Sequence, residues 1–301
     1  MTAPLVSVVV PALDPGPALG DALACLVAQT VGDWEAIVVD DGSSEDLGWV
    51  AHVDPRVTLV SLEHVGVSGA RNVGVERAQG RWVAFLDHDD TWRPAKLERQ
   101  LAVLAGRPEV DLCHTAFTWV IEAPEGDRRV LDRRYAADLT YQALLRGEMV
   151  CTSTAVLRKD AFLAAGGFAP QLRHAEDLDL WLRMLASGSR FAVLDEPLAV
   201  YTSRESGASG DYEDTYRARR ALLLRHLRLA RRAGDDGAVA AARAGLRRGR
   251  ELASAQAFDA GRRSRGAARV LHVKRALVRD PGFVVSSLVA RSPWSTVVRT
   301  G

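Results

Sequence analysis

The first hundred residues alternate between short apolar runs and longer amphipathic runs, and this alternation restricts the fold more than any other feature. Nearly continuous apolar runs lie at 5–10, 34–39, 57–61 and 81–86. Helix-like runs separate them, at about 17–29, 45–51, 67–78 and 93–105. Strands that are apolar on both faces need helices on both sides of their sheet. The pattern therefore predicts an α/β fold with a mainly parallel central sheet.

Beyond residue 110 the order is less regular, and the end of the chain is helical. We expect strands at about 110–120 and 150–158 and helices near 138–146 and 175–187. Two short strands, RFAVL and LAVYTS, follow, and we expect Glu196 and Pro197 to separate them. Residues 211–290 have helical spacing, which Gly237, Gly261 and Pro281-Gly282 are expected to divide into about four helices.

The net charge of +1 conceals two parts of opposite charge. Residues 217–301 carry 20 Lys and Arg against 5 Asp and Glu, or +15, whereas residues 1–216 carry 19 against 33, or −14. The basic part has two open interpretations. It is a bundle that packs on the acidic part, within a chain or between chains of an oligomer, or it makes peripheral contact with an anionic membrane. Few aromatic residues and no recognised motif argue against nucleic acid as a partner.

Cysteine usage and hydropathy bear on the compartment. Cys25, Cys113 and Cys151 are widely spaced and form no CxxC pair, which is typical of core residues in a reducing compartment. No apolar run approaches the roughly 20 residues that a membrane-spanning helix needs, and no signal peptide is evident. We therefore expect a cytoplasmic protein, with the inner face of the membrane as an additional location.

Three carboxylates follow the apolar run RWVAFL within four positions. Asp87 and Asp89 of DHDD would point to nearly the same side of a turn, where their oxygens suit Mg²⁺ or Mn²⁺ shared with substrate phosphates. Ordinary turn chemistry is the alternative, since Asp is favoured in turns. We expect Asp90 to follow this alternative and to cap the helix that begins near Pro94.

Two further polar segments accompany the strand ends. In VVDDGSS, Asp40 or Asp41 can accept a hydrogen bond from a base or a ribose, and a loop before a helix cap is the alternative. In GVSGARNVG, Arg71 lies at the amino end of a helix, which favours anions, and its planar fork suits a diphosphate. Pairing of Arg71 with the acidic turns is the other possibility, and both stay open.

Acidic residues also begin the amphipathic segment RHAEDLDLWLRML. Glu176, Asp177 and Asp179 occupy the first turns of the expected helix, where the dipole favours carboxylates. A well-capped helix is one interpretation, and a general base for a hydroxyl nucleophile is the other. His88 and His174 flank acidic motifs without metal-ligand spacing, and we expect them to be structural or solvent-facing.

The order of these segments resembles the family-2 inverting glycosyltransferases with the GT-A fold. The resemblance covers residues 4–209 and depends on five motifs in sequence: the loop at Pro11, DDGS, GARN, DHDD, and GGF followed by AEDLDLWLR. It implies a GT-A nucleotide-binding α/β/α sandwich with a mixed, mostly parallel sheet at 1–209 and an all-α helical extension at 210–301. Within the sandwich it implies a nucleotide-binding half near 1–108 and an acceptor half near 109–209.

The resemblance also implies roles for matching residues. The donor-binding residues would be Pro11, Leu13, Asp40, Asp41, Arg71, Asp87, His88 and Arg204. Among them Pro11 and Leu13 would lie in a loop after the first strand, where many relatives carry an aromatic residue instead of Leu13. Asp41 would hydrogen-bond the base, and Asp40 would support its turn. Arg204 lies in YTSRESGAS, which resembles a segment that closes over the diphosphate but lacks the histidine common there.

For the reaction, the resemblance implies that Asp89, with Asp87, holds Mn²⁺ or Mg²⁺ and that Asp177 is the catalytic base, with Glu176 orienting the acceptor. The reaction would move a sugar from a nucleoside-diphosphate sugar, with UDP favoured, to a hydroxyl of a carbohydrate or lipid-linked acceptor. A nucleotidyltransferase is one alternative, although PALDPGPALG lacks the basic residue that such enzymes need there. A non-catalytic nucleotide-sugar-binding relative is the other, although both acidic motifs persist.

Overall fold

The structure is a computed structural model that describes residues 3–122, 128–204, 212–263 and 266–280. Two compact units share the chain. The first unit comprises residues 1–144 and 148–210, and the second comprises residues 145–147 and 211–301. The first unit holds the sheet, and the described part of the second is helical.

Nine strands form a single mixed sheet within the described residues. They are β1 Val6–Ala12, β2 Trp34–Asp40, β3 Val57–Ser61, β4 Trp82–Phe85, β5 Thr91–Trp92, β6 Leu112–Glu122, β7 Arg128–Arg133, β8 Val156–Arg158 and β9 Phe191–Arg204. Their order is β3-β2-β1-β4-β8-β6-β9-β5, with β7 paired to β6. The first four strands are parallel, β6 is parallel to β9, and the other pairs are antiparallel. The expected mixed, mostly parallel α/β architecture is confirmed.

Helices lie between these strands in the first unit, and further helices form the described part of the second. They are α1 Ala18–Val27, α2 Val67–Arg77, α3 Lys96–Gly106, α4 Tyr141–Arg146, α5 Lys159–Ala164, α6 Glu176–Ala186, α7 Tyr212–Ala233, α8 Asp236–Arg263 and α9 Gly266–Arg279. Two short 3₁₀ helices, Gly48–His52 and Thr152–Thr154, complete the elements. Every residue of β1 is buried, as the continuous apolar pattern predicts for a central strand.

Close approach and aromatic packing hold the helices on the sheet. α2 crosses β1 at Gly74, where a Cβ atom would lie 2.3 Å from Cγ1 of Val9. A buried aromatic cluster joins β4 to α6, with the ring of Phe85 5.2 Å from that of Phe168, which in turn lies 6.4 Å from Trp181. This cluster fixes the amino end of α6 near the end of β4.

Several expected boundaries are wrong in detail. The helix expected at 45–51 is only the 3₁₀ helix Gly48–His52, and the strand expected at 150–158 is a 3₁₀ helix followed by β8. Pro197 does not separate two strands, because β9 is continuous. A register shift opposite Ala116 accommodates the proline, since a bulge tolerates a residue without a backbone N–H.

The second unit contains α7, α8 and α9 in its described part. Gly237 and Gly261 lie inside α8, so they do not end helices as expected; the break after α7 comes instead at Gly234, whose φ of 69° suits glycine. Pro281 and Gly282 lie outside the described residues. Leu223, Leu227 and Ala242 belong to the buried core of this unit. None of the helices described has the length and apolar character to cross a membrane.

Candidate active site

The candidate site lies at the carboxyl ends of β1, β2 and β4, where ligands bind in open α/β sheets. Asp40 ends β2, and the acidic turn 87–90 follows β4. Arg71 on α2 and Glu176 on α6 extend to the same place. Sequence segments that are more than a hundred residues apart therefore meet at one sheet edge.

Arg71 connects three of the motifs directly. Its guanidinium donates from Nη1 to Oε1 of Glu176 at 2.9 Å and from Nη2 to Oδ1 of Asp87 at 2.6 Å. The residue is only 3% exposed. Burial by itself disfavours the charge, but attraction to Asp87 and Glu176 outweighs burial and raises the pKa of Arg71. Both Nη groups are thus directed at acids, as the pairing alternative predicts.

The acidic turn separates into half-exposed and buried carboxylates. Asp87 and Asp89 are partly exposed, whereas Asp90 is fully buried. Asp90 accepts a hydrogen bond from the Ser153 hydroxyl at 2.5 Å and from the backbone N–H of Thr202 at 3.0 Å. The expectation that Asp90 caps a helix is wrong, because α3 begins only at Lys96 with Ala95 as its N-cap. Burial, followed by the charge of Asp87, raises the pKa of Asp90 well above that of an ordinary aspartate.

The second acidic turn fixes the loop before α2. The two carboxylate oxygens of Asp41 accept the N–H groups of Val65 at 2.7 Å and Gly66 at 2.9 Å, and Nδ1 of His64 lies 3.0 Å from Oδ2. Asp40 accepts the N–H of Ser43 at 2.8 Å and thereby closes the DDGS turn. Asp41 is buried, and its carboxylate joins the end of β2 to the start of α2.

Residues expected at the base of the nucleotide lie beside β1. Pro11 is part of β1 itself, which corrects the expectation that it lies in the following loop. Leu13 comes directly after the strand and is 41% exposed. Nδ1 of His88 lies 3.3 Å from the carbonyl oxygen of Pro11. Arg204 ends β9, but its side chain and the following segment to residue 211 lie outside the described part of the chain.

The three acids in the first turn of α6 have different surroundings. Glu176 pairs with Arg71, and the buried Asp179 pairs with Arg183 at 2.7 Å. Asp177 is partly exposed, and its Oδ1 accepts the N–H of Leu178 at 2.6 Å. Ala175 precedes the helix with φ of 58°, so the chain turns sharply into α6. Of the three acids, Asp177 combines partial exposure with a position beside the Glu176–Arg71 pair.

The GGF loop, residues 166–168, is fixed by side chains whose roles the sequence patterns did not identify. Asn72, next to Arg71, donates from Nδ2 to the carbonyl of Phe168 at 2.8 Å and accepts its N–H at 2.9 Å. Arg183 donates to the carbonyl of Gly167 at 2.7 Å. The GARN segment therefore contacts two parts of the site: Arg71 binds the acidic turn, and Asn72 binds the GGF loop. In the sequence, the amide side chain of Asn72 beside Arg71 was the available signal for the second contact.

The donor set of the acidic turn fits a hard divalent cation that is shared with a substrate. Among the described residues, no three His, Cys, Asp or Glu side chains cluster as a metal site. Asp87 and Asp89 nevertheless offer partly exposed carboxylate oxygens, the ligands that Mg²⁺ and Mn²⁺ prefer, usually together with phosphate oxygens. The charges of both also raise the pKa of Asp90, so negative charge accumulates at this turn.

Comparison with known proteins identifies the family. The model for glycosyl transferase family 2 matches residues 7–164, more than half of the chain. TuaG of Bacillus subtilis (strain 168), provisionally named as a teichuronic acid biosynthesis glycosyltransferase, is 34% identical over 207 residues, which cover 66% of this chain and 79% of TuaG. WfgD of Escherichia coli, named as a UDP-Glc:alpha-D-GlcNAc-diphosphoundecaprenol beta-1,3-glucosyltransferase, is 28% identical over 192 residues, or 63% of this chain and 73% of WfgD.

Solved structures share the fold. A crystal structure of S. aureus TarS 1-349 in complex with UDP has a TM-score of 0.65 at 18% identity, covering 94% of this chain and 82% of the other. A longer TarS structure is covered over 39% of its length, with a TM-score of 0.56, 20% identity and 74% of this chain aligned. Family membership decides against the nucleotidyltransferase alternative. The chain therefore belongs to glycosyl transferase family 2 and is a glycosyltransferase with the GT-A fold.

Proposed function

We propose that the chain is an inverting glycosyltransferase that takes a sugar from a UDP-sugar and acts in the biosynthesis of a cell-surface polysaccharide. The observation that carries the proposal is the pair of hydrogen bonds from Arg71 to Asp87 and Glu176, which brings the donor-side turn and the acidic helix to one place. The names of TuaG and WfgD support a polysaccharide or lipid-linked acceptor, and TarS has been crystallised with UDP and UDP-GlcNAc.

On the donor side, we assign the base to the surface formed by Leu13 and the DDGS turn. The exposed Leu13 side chain offers an apolar surface for a base. Asp41 already accepts two N–H groups, and since each carboxylate oxygen has two lone pairs, it can also accept a hydrogen bond from a base. We assign donor binding to residues 1–108, together with Arg204, and acceptor binding to residues 109–209.

Charge stabilisation on the leaving diphosphate follows from the acidic turn and Arg71. Asp89, with Asp87, would hold Mn²⁺ or Mg²⁺, which supplies a Lewis acid for the diphosphate oxygens. Arg71 orients the carboxylates of Asp87 and Glu176 through its hydrogen bonds, and its buried positive charge lies beside the proposed diphosphate site. His88 lies between the two metal-holding residues and contacts Pro11.

Asp177 is the proposed base. It would take the proton of the acceptor hydroxyl while that oxygen attacks the anomeric carbon and the bond from this carbon to the diphosphate breaks on the opposite face. One displacement of this kind inverts the anomeric configuration. Glu176, whose carboxylate already accepts a hydrogen bond from Arg71, would orient the acceptor instead of taking the proton.

Substitution of Asp177 by Asn tests the proposal. We expect Asp177→Asn to lower transfer from a UDP-sugar by at least about 100-fold, because the amide cannot accept the proton. Binding of UDP with Mn²⁺, measured by calorimetry, should match the wild-type protein. Asp21→Asn, which changes an exposed first-turn aspartate of α1, is the matched control and should retain activity. Wild-type turnover in Asp177→Asn would remove Asp177 from the mechanism.

We further propose that the basic helical unit makes peripheral contact with anionic lipid at the cytoplasmic face of the membrane. The charge balance of +15 over residues 217–301 supports this, as does a lipid-linked acceptor in the name of WfgD. On α9, Val270 and Val278 are 67% and 76% exposed, and Lys274 between them is exposed too. Oligomer formation through the same unit is the competing proposal.

A further inference from the structure

A buried hydroxyl lies directly behind the acidic turn and connects it to other parts of the sheet. Ser153, in the 3₁₀ helix Thr152–Thr154, is fully buried. Its hydroxyl accepts the backbone N–H of Asp87 at 3.1 Å and donates to Oδ2 of Asp90 at 2.5 Å. A hydroxyl has one proton, so a single donated bond and a single accepted bond define the orientation of this group.

The two acids of this contact are also joined to each other and to β9. The N–H of Asp90 donates to the carbonyl of Asp87 at 3.0 Å, which closes the turn. Oδ1 of Asp90 accepts the N–H of Thr202, near the end of β9. Ser153, the acidic turn and β9 therefore belong to one hydrogen-bond network. In it, Oδ2 of Asp90 accepts from the Ser153 hydroxyl and Oδ1 accepts from the N–H of Thr202.

The aromatic residue that follows the turn strengthens the same connection. Nε1 of Trp92 donates to the carbonyl oxygen of Ser153 at 2.7 Å, and Trp92 pairs with Ala199 across β5 and β9. Trp92 is 4% exposed, so this bond lies in a region of low dielectric, where hydrogen bonds are strong and unpaired groups are costly. Both the backbone and the side chain of Ser153 thus hold segments that border the acidic turn.

The position of Ser153 separates it from the reacting groups. Its hydroxyl is within hydrogen-bond distance of the backbone of Asp87 and of the side chain of Asp90. It is too buried to contact a nucleotide-sugar substrate. The Asp87 side chain, by contrast, faces Arg71 and is partly exposed. Ser153 can therefore influence binding of the nucleotide sugar only through the placement of Asp87 and its neighbours.

We infer that Ser153, together with Asp90, is a positioning residue of the donor site: it fixes the backbone of Asp87 so that Asp87 and Asp89 are presented together to the metal-bound diphosphate. The inference depends on the proposed donor site at this turn. Residues that orient metal ligands through hydrogen bonds commonly contribute 10-fold to 100-fold to metal affinity, so the effect of Ser153 should be measurable in binding alone.

The test compares Ser153→Ala with Thr154→Val in the 301-residue chain. Thr154 is the matched control because it is equally buried in the same 3₁₀ helix, but its hydroxyl donates to the carbonyl of Cys151 and not to the acidic turn. Calorimetric titration with UDP and Mn²⁺, and electron paramagnetic resonance of bound Mn²⁺, measure the donor site without turnover. Thermal unfolding measures the structural cost of each change.

We expect Ser153→Ala to bind Mn²⁺–UDP at least about 10-fold more weakly than wild type and to raise the KM for the sugar donor more than it lowers kcat. Thr154→Val should bind within about twofold of wild type, with a similar fall in Tm. Equal binding by the two variants, whether normal or reduced, would overturn the inference, because the acidic turn would then not depend on this hydroxyl.

A second variant keeps the test valid if Ser153→Ala does not fold. In the double variant Asp90→Asn, Ser153→Ala, no buried carboxylate loses its donor, yet the N–H of Asp87 still lacks its acceptor. We expect the same loss of Mn²⁺–UDP affinity, and wild-type affinity would contradict the inference. Failure of the proposed function has a different signature: the wild-type protein itself would then show no Mn²⁺-dependent binding of UDP.

Discussion

Arg71 lies between two carboxylates that belong to different motifs, and its contacts explain how the site holds those acids in place. Asp87 and Glu176 are both partly buried, and buried carboxylates need hydrogen-bonded partners. A guanidinium with two directed N–H groups compensates both at once, which an ammonium on a flexible stem would do less well. The side chain therefore organises donor-side and acceptor-side acids before any substrate binds.

Lys96 is a buried cation without a comparable partner, and it provides a prediction about stability. Its Nζ is fully buried, finds no hydrogen-bond acceptor in the described part of the chain, and lies 3.7 Å from the ring centroid of Trp92. Burial lowers the pKa of Lys96 to about 7 from its ordinary value of 10.5. Between these values the unfolded chain holds a proton that the folded chain has lost, so stability rises with pH, and below pH 7 the full cost is present.

We expect Lys96→Met to be more stable than wild type at pH 6, because it removes the buried charge at similar volume. The difference in unfolding free energy should narrow by about 3 kcal/mol between pH 6 and pH 9. Urea unfolding at both pH values measures it, with the exposed Lys274→Met as control. A difference that does not change with pH would show that Lys96 does not titrate in the folded state over this range.

Among the elements, α2 carries Arg71 and crosses β1 so closely that Gly74 leaves no space for a side chain. We expect Gly74→Ala to destabilise the protein by about 1–3 kcal/mol, since the new methyl would meet the rigid branched side chain of Val9. Activity should fall as well, because Arg71 lies one turn away from the displaced contact.

The matched control for this contact is Gly20→Ala on α1. A Cβ atom at Gly20 meets nothing within 4 Å, so alanine should be neutral or stabilising by up to about 1 kcal/mol. Thermal unfolding and transfer rates of the two variants separate steric conflict from helix propensity. A normal Tm for Gly74→Ala would mean that α2 and β1 separate at little cost.

The predicted elements agree with the structure where local patterns suffice and fail where pairing decides. The four parallel strands and the amphipathic α6 follow from apolar spacing alone. Glu196 and Pro197 were expected to separate two strands, but the pairing of β9 with β6 changes register opposite Ala116 and β9 continues. Asp90 was expected to cap a helix, but Ser153 and Thr202, both distant in sequence, supply its hydrogen bonds. The residues next to Pro197 and Asp90 in the sequence do not reveal which distant segments these two residues contact.

For the whole molecule, the division of charge between the two parts of the chain leads to a test of membrane contact. We expect the 301-residue chain to co-sediment with phosphatidylglycerol vesicles at low salt and to be released by about 0.5 M NaCl, because screening weakens surface charge interactions. Vesicles of phosphatidylcholine should bind it weakly. No binding to the anionic vesicles at low salt would contradict the proposed contact and favour oligomer formation.

Paired variants identify which surface is responsible. The double variant Val270→Ser, Val278→Ser removes two exposed apolar side chains from α9 and should weaken vesicle binding if this face enters the lipid interface. Val130→Ser changes a similarly exposed valine on β7, in the other unit, and should bind as wild type does. An equal effect of both changes would show that general surface hydrophobicity, and not α9, controls binding.

The sequence by itself determined the fold class, the family and the identity of the acidic motifs, because apolar periodicity and motif order are local properties that survive without coordinates. Only the tertiary structure decided how the motifs are connected. Arg71 binds two acids in segments separated by nearly ninety residues, and Ser153 holds the acidic turn from behind. Hydrogen bonds of this kind depend on which distant segments the sheet brings together, and strand pairing is fixed only when the whole core packs.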